Sequence, residues 1–326
     1  MSTPSEAGNE RSEPDLGTVI GERRQLMNLA YRLLGSVAEA EDAVQETYAR
    51  WYAMSPRQQE TIASPGAWLT TVAGRVCLDV LGSARVRRER YVGEWIPEPL
   101  PDRSEWVGGH TDGGRDEPAD PADRVTLDES VNMAFLVVLE SMTPAERVAF
   151  ILHDVFRYPF VEVAGIVGRS APACRQLAAS ARRRLREARA GTGPAAGQAV
   201  LVREFKEAWE TKDIAALIAL LDPEAAMITD GGGLAGAALR PVEGGERVAQ
   251  YLCHFADKVP DLVLLERTVN GRAGLVAQHA GVTVTVAAFG LAGDRVHRIW
   301  AVRNPEKLRP WPGHGGSGAA PQSWGG

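Results

Sequence analysis

Apolar residues recur at helical spacing along roughly the first 190 positions and at alternating or continuous spacing beyond about residue 260. Arg23 to Leu34 puts Leu26, Leu29, Ala30 and Leu33 on one face, and Gly35 stops that helix. Ser36 and Glu39 form an S-x-x-E capping box that opens a helix over Ala38 to Tyr52. A polar loop, Met54 to Ala63, leads to Ser64-Pro65, a cap followed by proline at the first helical position. The helix beyond it buries Trp68, Leu69, Val72, Val76 and Val80 and ends in Arg85, Arg87, Arg88 and Arg90. Thr143, Pro144 and Glu146 cap another helix, Ala145 to Val155. His153 and Asp154 sit near its end, where a lone histidine suits the helix dipole better than catalysis.

From Tyr158 to Arg189 the pattern predicts two helices and a tight turn. Phe160, Val163, Ala164 and Val167 share one face of the first, and Gly168 ends it in the left-handed conformation. Ser170 caps the second, with Pro172 in its first turn. That second helix carries Arg175, Arg182, Arg183, Arg184, Arg186 and Arg189. A short helix, a glycine turn and an arginine-rich helix suggest a helix-turn-helix for the DNA major groove. A helical hairpin with a solvated basic face fits the same residues.

After a Gly/Pro/Ala linker, Gly191 to Gly197, the texture changes. Helices are predicted over Ala199–Trp209, Asp213–Leu221 and Glu246–Lys258. Strands follow at Leu262–Val269, Gly274–His279, Val282–Phe289 and Arg295–Val302, an antiparallel meander in an α+β domain. Asp230-Gly231-Gly232-Gly233 sits after a strand, and its glycines permit positive φ and close backbone approach. Asn304-Pro305-Glu306-Lys307-Leu308 follows the last strand. Residues 1–21, poor in large apolar side chains, and the tail 310–326 are expected to be disordered.

Composition sets limits. At 326 residues the chain has room for two or three domains, and 44% hydrophobic with 24% charged residues is ordinary for a globular protein. No apolar run approaches the ~18 residues that span a membrane, and no signal-peptide core is visible. Cys77, Cys174 and Cys253 are too few and too scattered for a disulfide framework or zinc site, so a cytoplasmic protein without metal or cofactor is expected. The net charge of −6 hides segregation: residues 94–129 carry −8, whereas residues 131–190 carry +4. Acidic residues in the first turns of Ala38–Tyr52 suit the helix dipole, and with the aromatics beside them they also make a docking face for a basic partner. The arginines closing the Trp68 helix suit phosphates, and Trp68 and Tyr91 could stack on exposed bases. Core packing and a solvated last turn account for the same groups.

The run NLAYRLLGSVAEAEDAVQETYARWY with SPGAWLTTVAGRVCLDVLGSARVRRERYVGEWIPEPLP closely resembles region 2 of the extracytoplasmic-function (ECF) sigma factors. FLVVLESMTPAERVAFILHDVF and the helix-turn-helix after it resemble their region 4. WIPEP resembles the motif found after region 2 in members with a C-terminal extension, and the end of the chain resembles the SnoaL-like domain. The resemblance implies a multi-domain protein: two all-α sigma domains plus an α+β SnoaL-like (NTF2-like) cone domain. Its divisions are residues 22–92 (region 2), 93–130 (acidic linker), 131–190 (region 4), 191–197 (linker) and 198–309 (cone domain).

Carried over, the resemblance implies that Glu41, Asp42, Gln45, Glu46, Tyr48 and Trp51 face the β′ clamp helices of core RNA polymerase. Trp68, Arg75, Arg85, Arg87 and Arg88 would open and hold the −10 element. Arg169, Ser170, Ala173, Cys174, Arg175 and Gln176 would read the −35 duplex, with Arg182, Arg183 and Arg184 on phosphates or the β flap. The linker, otherwise a plain disordered tether, would thread the polymerase cleft as a nucleic-acid mimic. Trp95, Pro97, Asp230, Gly231, Gly232, Gly233, Asn304, Pro305, Glu306, Lys307 and Leu308 would make regulatory intramolecular contacts. Family members read DGGGK and NPDKL; Leu234 here removes the lysine of the first motif and leaves any salt bridge of that lysine in doubt. The expected activity is promoter recognition and initiation without covalent chemistry, modulated by a cone domain with room for a small-molecule ligand. Two rivals stand beside it. A pocket enzyme fused to a DNA-binding regulator would use Asp230, His254, His279 or Arg298; a ligand-sensing repressor would leave residues 22–92 unexplained.

Overall fold

The computed structural model describes residues 16–88, 91–101, 129–189, 197–234, 236–311 and 313. Four helices come first: α1 (Leu16–Leu34), α2 (Val37–Tyr52), α3 (Pro56–Glu60) and α4 (Pro65–Arg88). Helix α1 begins at Leu16, seven residues ahead of the predicted start, because Leu16, Val19 and Ile20 extend the same apolar spacing; residues 16–21 of the supposed disordered terminus are thus helical. The polar loop after α2 is partly helical as well. Ser55 and Gln58 make a reciprocal capping box that closes α3, a signal overlooked at sequence level.

A second helical group follows: α5 (Met133–Glu140), α6 (Pro144–Phe150), α7 (Phe160–Val167) and α8 (Ala171–Arg189). Thr143 and Glu146 form the predicted capping box, but α6 relaxes into a π-turn over Ile151–Val155. Gly168 ends α7 at φ 69°, as its position required. The two helical groups share one continuous core rather than forming separate modules. Buried Arg147 ties them together, donating to the Leu33 carbonyl at 2.9 Å and pairing with Glu140 at 2.8 Å. Arg32, equally buried, donates to Ser130 at 2.6 Å.

The C-terminal unit comprises α9 (Gln198–Glu210), α10 (Ile214–Leu220), β1 (Leu221–Asp230), β2 (Val242–Glu243), α11 (Gly245–Lys258), β3 (Val263–Val269), β4 (Arg272–His279), β5 (Val282–Ala292) and β6 (Arg295–Val302). The sheet order is β2-β1-β6-β5-β4-β3. The predicted meander is present in β3 to β6, but β1 joins β6 in parallel, so the sheet is mixed rather than wholly antiparallel. Strand β5 is apolar at almost every position because both sheet faces are covered. Ala287 and Phe289 face the helices α9 and α11, whereas Val286 and Ala288 face Ile96 and Met133 from the helical part of the chain.

Candidate nucleic-acid interface and the joint behind it

Helix α2 presents Glu41, Asp42, Gln45 and Glu46 as one exposed stripe, since these positions recur one turn apart while Ala40, Ala43, Val44 and Thr47 are buried. Tyr48 and Trp51 are only half exposed. Trp51 packs edge-on against Trp68 at 5.2 Å, which makes Trp68 part of the core margin and not a free stacking platform. Arg75 is exposed, but its guanidinium donates to the Gly165 carbonyl of α7 at 2.8 Å. Arg85, Arg87 and Arg88 lie on the last turns of α4, their side chains outside the described residues, as is Arg90.

Arg169 and Ser170 in the turn before α8, and Arg175 and Gln176 on it, are exposed, and Ala173 is partly so. The Ser170 hydroxyl caps the helix by accepting from the Ala173 N–H at 3.4 Å, and Arg175 lies over the Phe160 ring at 5.6 Å. Cys174 cannot read bases: it is fully buried, in register with Ala178, Ala181 and Leu185 on the inner face of α8. Two of the three arginines expected on phosphates are engaged inside the fold. Arg182 grips Asp154 through contacts of 2.6 and 3.2 Å. Arg184 donates to the Ser141 carbonyl at 3.2 Å. Arg183 stays exposed, with a long 3.5 Å contact to Ser180.

The helices that carry these candidates pack together, α4 against α7. Tyr158, just before α7, donates to Thr70 of α4 at 3.0 Å. A Cβ on Gly74 would stand 2.8 Å from the Ile166 side chain, so α4 and α7 approach closely only because residue 74 is glycine.

Behind them lies a joint built from the motifs. Residues 95–101 are an ordered strap, not a tether: Ile96, Glu98 and Leu100 are buried between the helical groups and the sheet. The rest of the acidic linker, 102–128, lies outside the described residues, as do residues 1–15, 190–196 and 314–326. Asp230 is fully buried at the centre of the joint. It accepts from the Tyr91 hydroxyl at 2.6 Å and the Ile96 N–H at 3.0 Å, and pairs with Lys307 at 2.7 Å. Burial and the Asp230 bond raise the Tyr91 phenol far above its ordinary range, so it serves as a neutral donor. Asn304 donates to the same hydroxyl at 2.9 Å, and the Lys307 ammonium sits 4.1 Å from the Trp95 ring. Asp230 thus takes its cation from Lys307 of the second motif, whereas Leu234 of the first is exposed. Gly232, at φ 63°, is pressed so close to Asn304 that a Cβ would come within 2.5 Å.

Six further contacts were not anticipated. Asn270, at the Asn-Gly turn between β3 and β4, donates to the Tyr31 hydroxyl and the Val131 carbonyl, each at 2.9 Å, and accepts from Leu100 at 3.0 Å. Tyr31 donates to the Glu98 carbonyl at 2.7 Å. Trp311, assigned to the disordered tail, is buried and donates to the Pro99 carbonyl at 2.9 Å. The second cap of α2 comes from Glu98, whose carboxylate accepts from the Val37 N–H at 2.8 Å. The Asn-Gly pair marks a hairpin in sequence; its role as a plug between domains has no local signal.

Glu98 also makes the joint pH-sensitive. Burial pushes its carboxyl up to about 7, against the opposing pull of the Val37 N–H, Lys307 and Ser36. The packed state thus holds a proton that the unfolded chain releases near 4.5, so this stabilisation is complete below that pH and is lost as pH rises through 7. The loss should approach about 3 kcal/mol. Denaturation at pH 5 and pH 8 measures it; Glu98→Gln should flatten the slope, and an unchanged slope would locate the titration elsewhere.

The catalytic candidates are not brought together. Asp230 belongs to the joint, and no hydrogen bond or ion pair among the described residues links it to His254, His279 or Arg298, or any of those to one another.

A family model described as Sigma-70 region 2 matches residues 20–90, and one described as Sigma-70, region 4 matches residues 132–185. The chain is 36% identical over 302 residues to the ECF RNA polymerase sigma factor SigJ of Mycobacterium tuberculosis, covering 89% of this chain and 92% of that protein. It is 34% identical over 290 residues to the probable ECF RNA polymerase sigma factor SigI of the same organism, covering 88% and 92%. The crystal structure of M. tuberculosis SigJ superposes with a TM-score of 0.69 at 30% identity, over 91% of this chain and 99% of that one.

Proposed function

This chain belongs to the extracytoplasmic-function RNA polymerase sigma factors, and from that membership we propose that its promoter-reading faces are held in a closed pair until core polymerase draws them apart. As a sigma factor it recognises promoters and initiates transcription as a subunit of RNA polymerase. The observation that carries the closed-pair reading is the contact of α4 with α7 through Gly74, Arg75 and Tyr158. Two elements separated along DNA cannot be read by surfaces that lie against each other. The cone domain reinforces the pair from behind, because the strap at residues 95–101 and α5 dock on its sheet and its own Asn270 turn bonds the Val131 carbonyl of the helical part.

The open stripe Glu41, Asp42, Gln45 and Glu46 is the surface we assign to core polymerase. It remains exposed while α4 and α7 lie against each other, so polymerase can dock first and opening can follow. Exposed Arg169, Arg175, Gln176 and Arg183 are the −35 contacts of the opened form, with Arg75 released from Gly165 to the −10 region. Arg182 and Arg184 keep structural partners within this fold, and the cone domain acts as regulator in cis.

Transcription from a cognate promoter with purified core polymerase tests this reading. Full-length protein and a version ending at Gly197 should differ in output; indistinguishable activities would remove the cone domain from regulation. In a second experiment, Asp42→Lys with Glu46→Lys should weaken binding to core polymerase by about tenfold or more, since opposed charge at an interface costs several kcal/mol. Unchanged affinity would reduce that stripe to helix-dipole pairing.

A further inference from the structure

The cone encloses a cavity that the joint does not use. An outer chamber of about 420 Å³ opens beside Val92 and Leu239. Thr229, Tyr251, Phe255 and Arg303 line both it and an inner chamber of about 30 Å³. Arg303 is mostly buried and no acid offsets it; no carboxylate lines either chamber among the described residues. Its guanidinium donates to the Gly236 carbonyl and to the Tyr251 hydroxyl, and its plane lies 4.8 Å over the Phe255 ring, while its Nε has no partner among the described residues. Thr229 and Thr285 bring buried hydroxyls to the same walls, also without partners. Buried donors converging without an acceptor are unfavourable unless something supplies one.

We propose that this cavity binds a small organic monoanion, a carboxylate carried on an apolar body, with Arg303 as its anchor. A planar guanidinium already stacked on an aromatic ring is preorganised for a carboxylate. Thr229, Thr285 and Tyr251 supply further polar contacts. The apolar body lies against Phe255, Ala238 and Leu239, and Leu239 is 64% exposed at the mouth in a position suited to cover a bound molecule. The placement also gives such a ligand leverage. Thr229 and Arg303 line the cavity, whereas their immediate successors Asp230 and Asn304 hold Tyr91, and the Arg303 N–H bonds the Asp230 carbonyl at 2.7 Å. Neighbouring residues turned to opposite sides therefore belong to the cavity and to the joint.

Calorimetric titration of the full-length protein with benzoate and octanoate, each beside the corresponding alcohol, tests the proposal without polymerase. The carboxylates should bind at least about tenfold more tightly than the alcohols, and Arg303→Gln should abolish that difference. If Arg303→Gln does not fold, the exposed mouth decides. Both Leu239→Asp and Leu239→Lys remove the same apolar contact, so each is read as the ratio of carboxylate to alcohol affinity: Leu239→Asp should lower that ratio and Leu239→Lys should raise it. Equal affinity for acid and alcohol, no binding of either carboxylate, or identical behaviour of the two Leu239 variants would overturn it.

Discussion

Lys307→Ala is expected to destabilise the packed chain by about 3–5 kcal/mol, because it leaves the Asp230 carboxylate fully buried without a cation. Asp230 would still accept from Tyr91, Ile96 and Gly232, but neutral donors replace only part of the lost Coulomb term. The same change removes the ammonium from the Trp95 ring. Urea denaturation of the full chain gives the magnitude, and protease cleavage around residues 91–95 reports whether the strap has come loose. The pair Asp230→Asn with Lys307→Met should lose much less than the sum of its parts, since neither charge is then stranded. A single-variant loss below about 1 kcal/mol would mean that solvent reaches Asp230 and that the joint is not buried as described. Where the sigma activity is measured alongside, the loosened strap should raise promoter output relative to the unmodified protein.

Gly74→Leu should separate the two DNA-facing surfaces while leaving each intact. The added side chain has nowhere to go between α4 and α7, where even a Cβ meets Ile166 at 2.8 Å. Overpacking of this kind costs about 1–3 kcal/mol, charged against the closed pair alone because residue 74 is free of Ile166 once the pair opens. The readout is a distance between labels on the α3 and α8 surfaces, which should lengthen, together with tighter promoter binding by the reconstituted polymerase. Ile166→Ala in the same chain should restore closure by making room. Unchanged distances would mean that Ile166 moves aside and the pair is not glycine-dependent.

Local signals predicted the elements well. Ser36, Ser64, Thr143 and Ser170 each cap a helix through their own hydroxyls, and Gly35 and Gly168 each end one at positive φ. Caps and stops depend on residues within one turn, which is what a chain read in order can supply. The same reasoning went wrong where the deciding partner lies far away. Cys174 looks like a base reader on the exposed start of α8, yet the stripe it shares with Ala178, Ala181 and Leu185 turns it inward. Arg182 looks like a phosphate ligand until Asp154, twenty-eight residues earlier, is brought against it by the π-turn. The strap shows the limit most plainly. An acidic, proline-containing stretch has the composition of a tether, and only distant partners explain its burial: the apolar outer face of β5 and β6 covers Ile96, and the core of the helical groups takes Leu100. The parallel pairing of β1 with β6 left no mark, because a parallel strand buried on both faces lacks the alternation that identifies hairpins.

That pairing also sets an order of events during synthesis. Strand β1 takes its main partner from Arg295–Val302, and the lysine and tryptophan that fasten the strap come later still. The eight helices that read promoter and polymerase have by then long since left the ribosome and can condense on local contacts, whereas the sheet waits for its last-made strand. On the closed-pair reading proposed above, each newly translated molecule would pass through an interval in which its helices exist and the restraint of the cone domain does not. A ribosome that stalls or a message cut before codon 295 would then release a chain without that restraint.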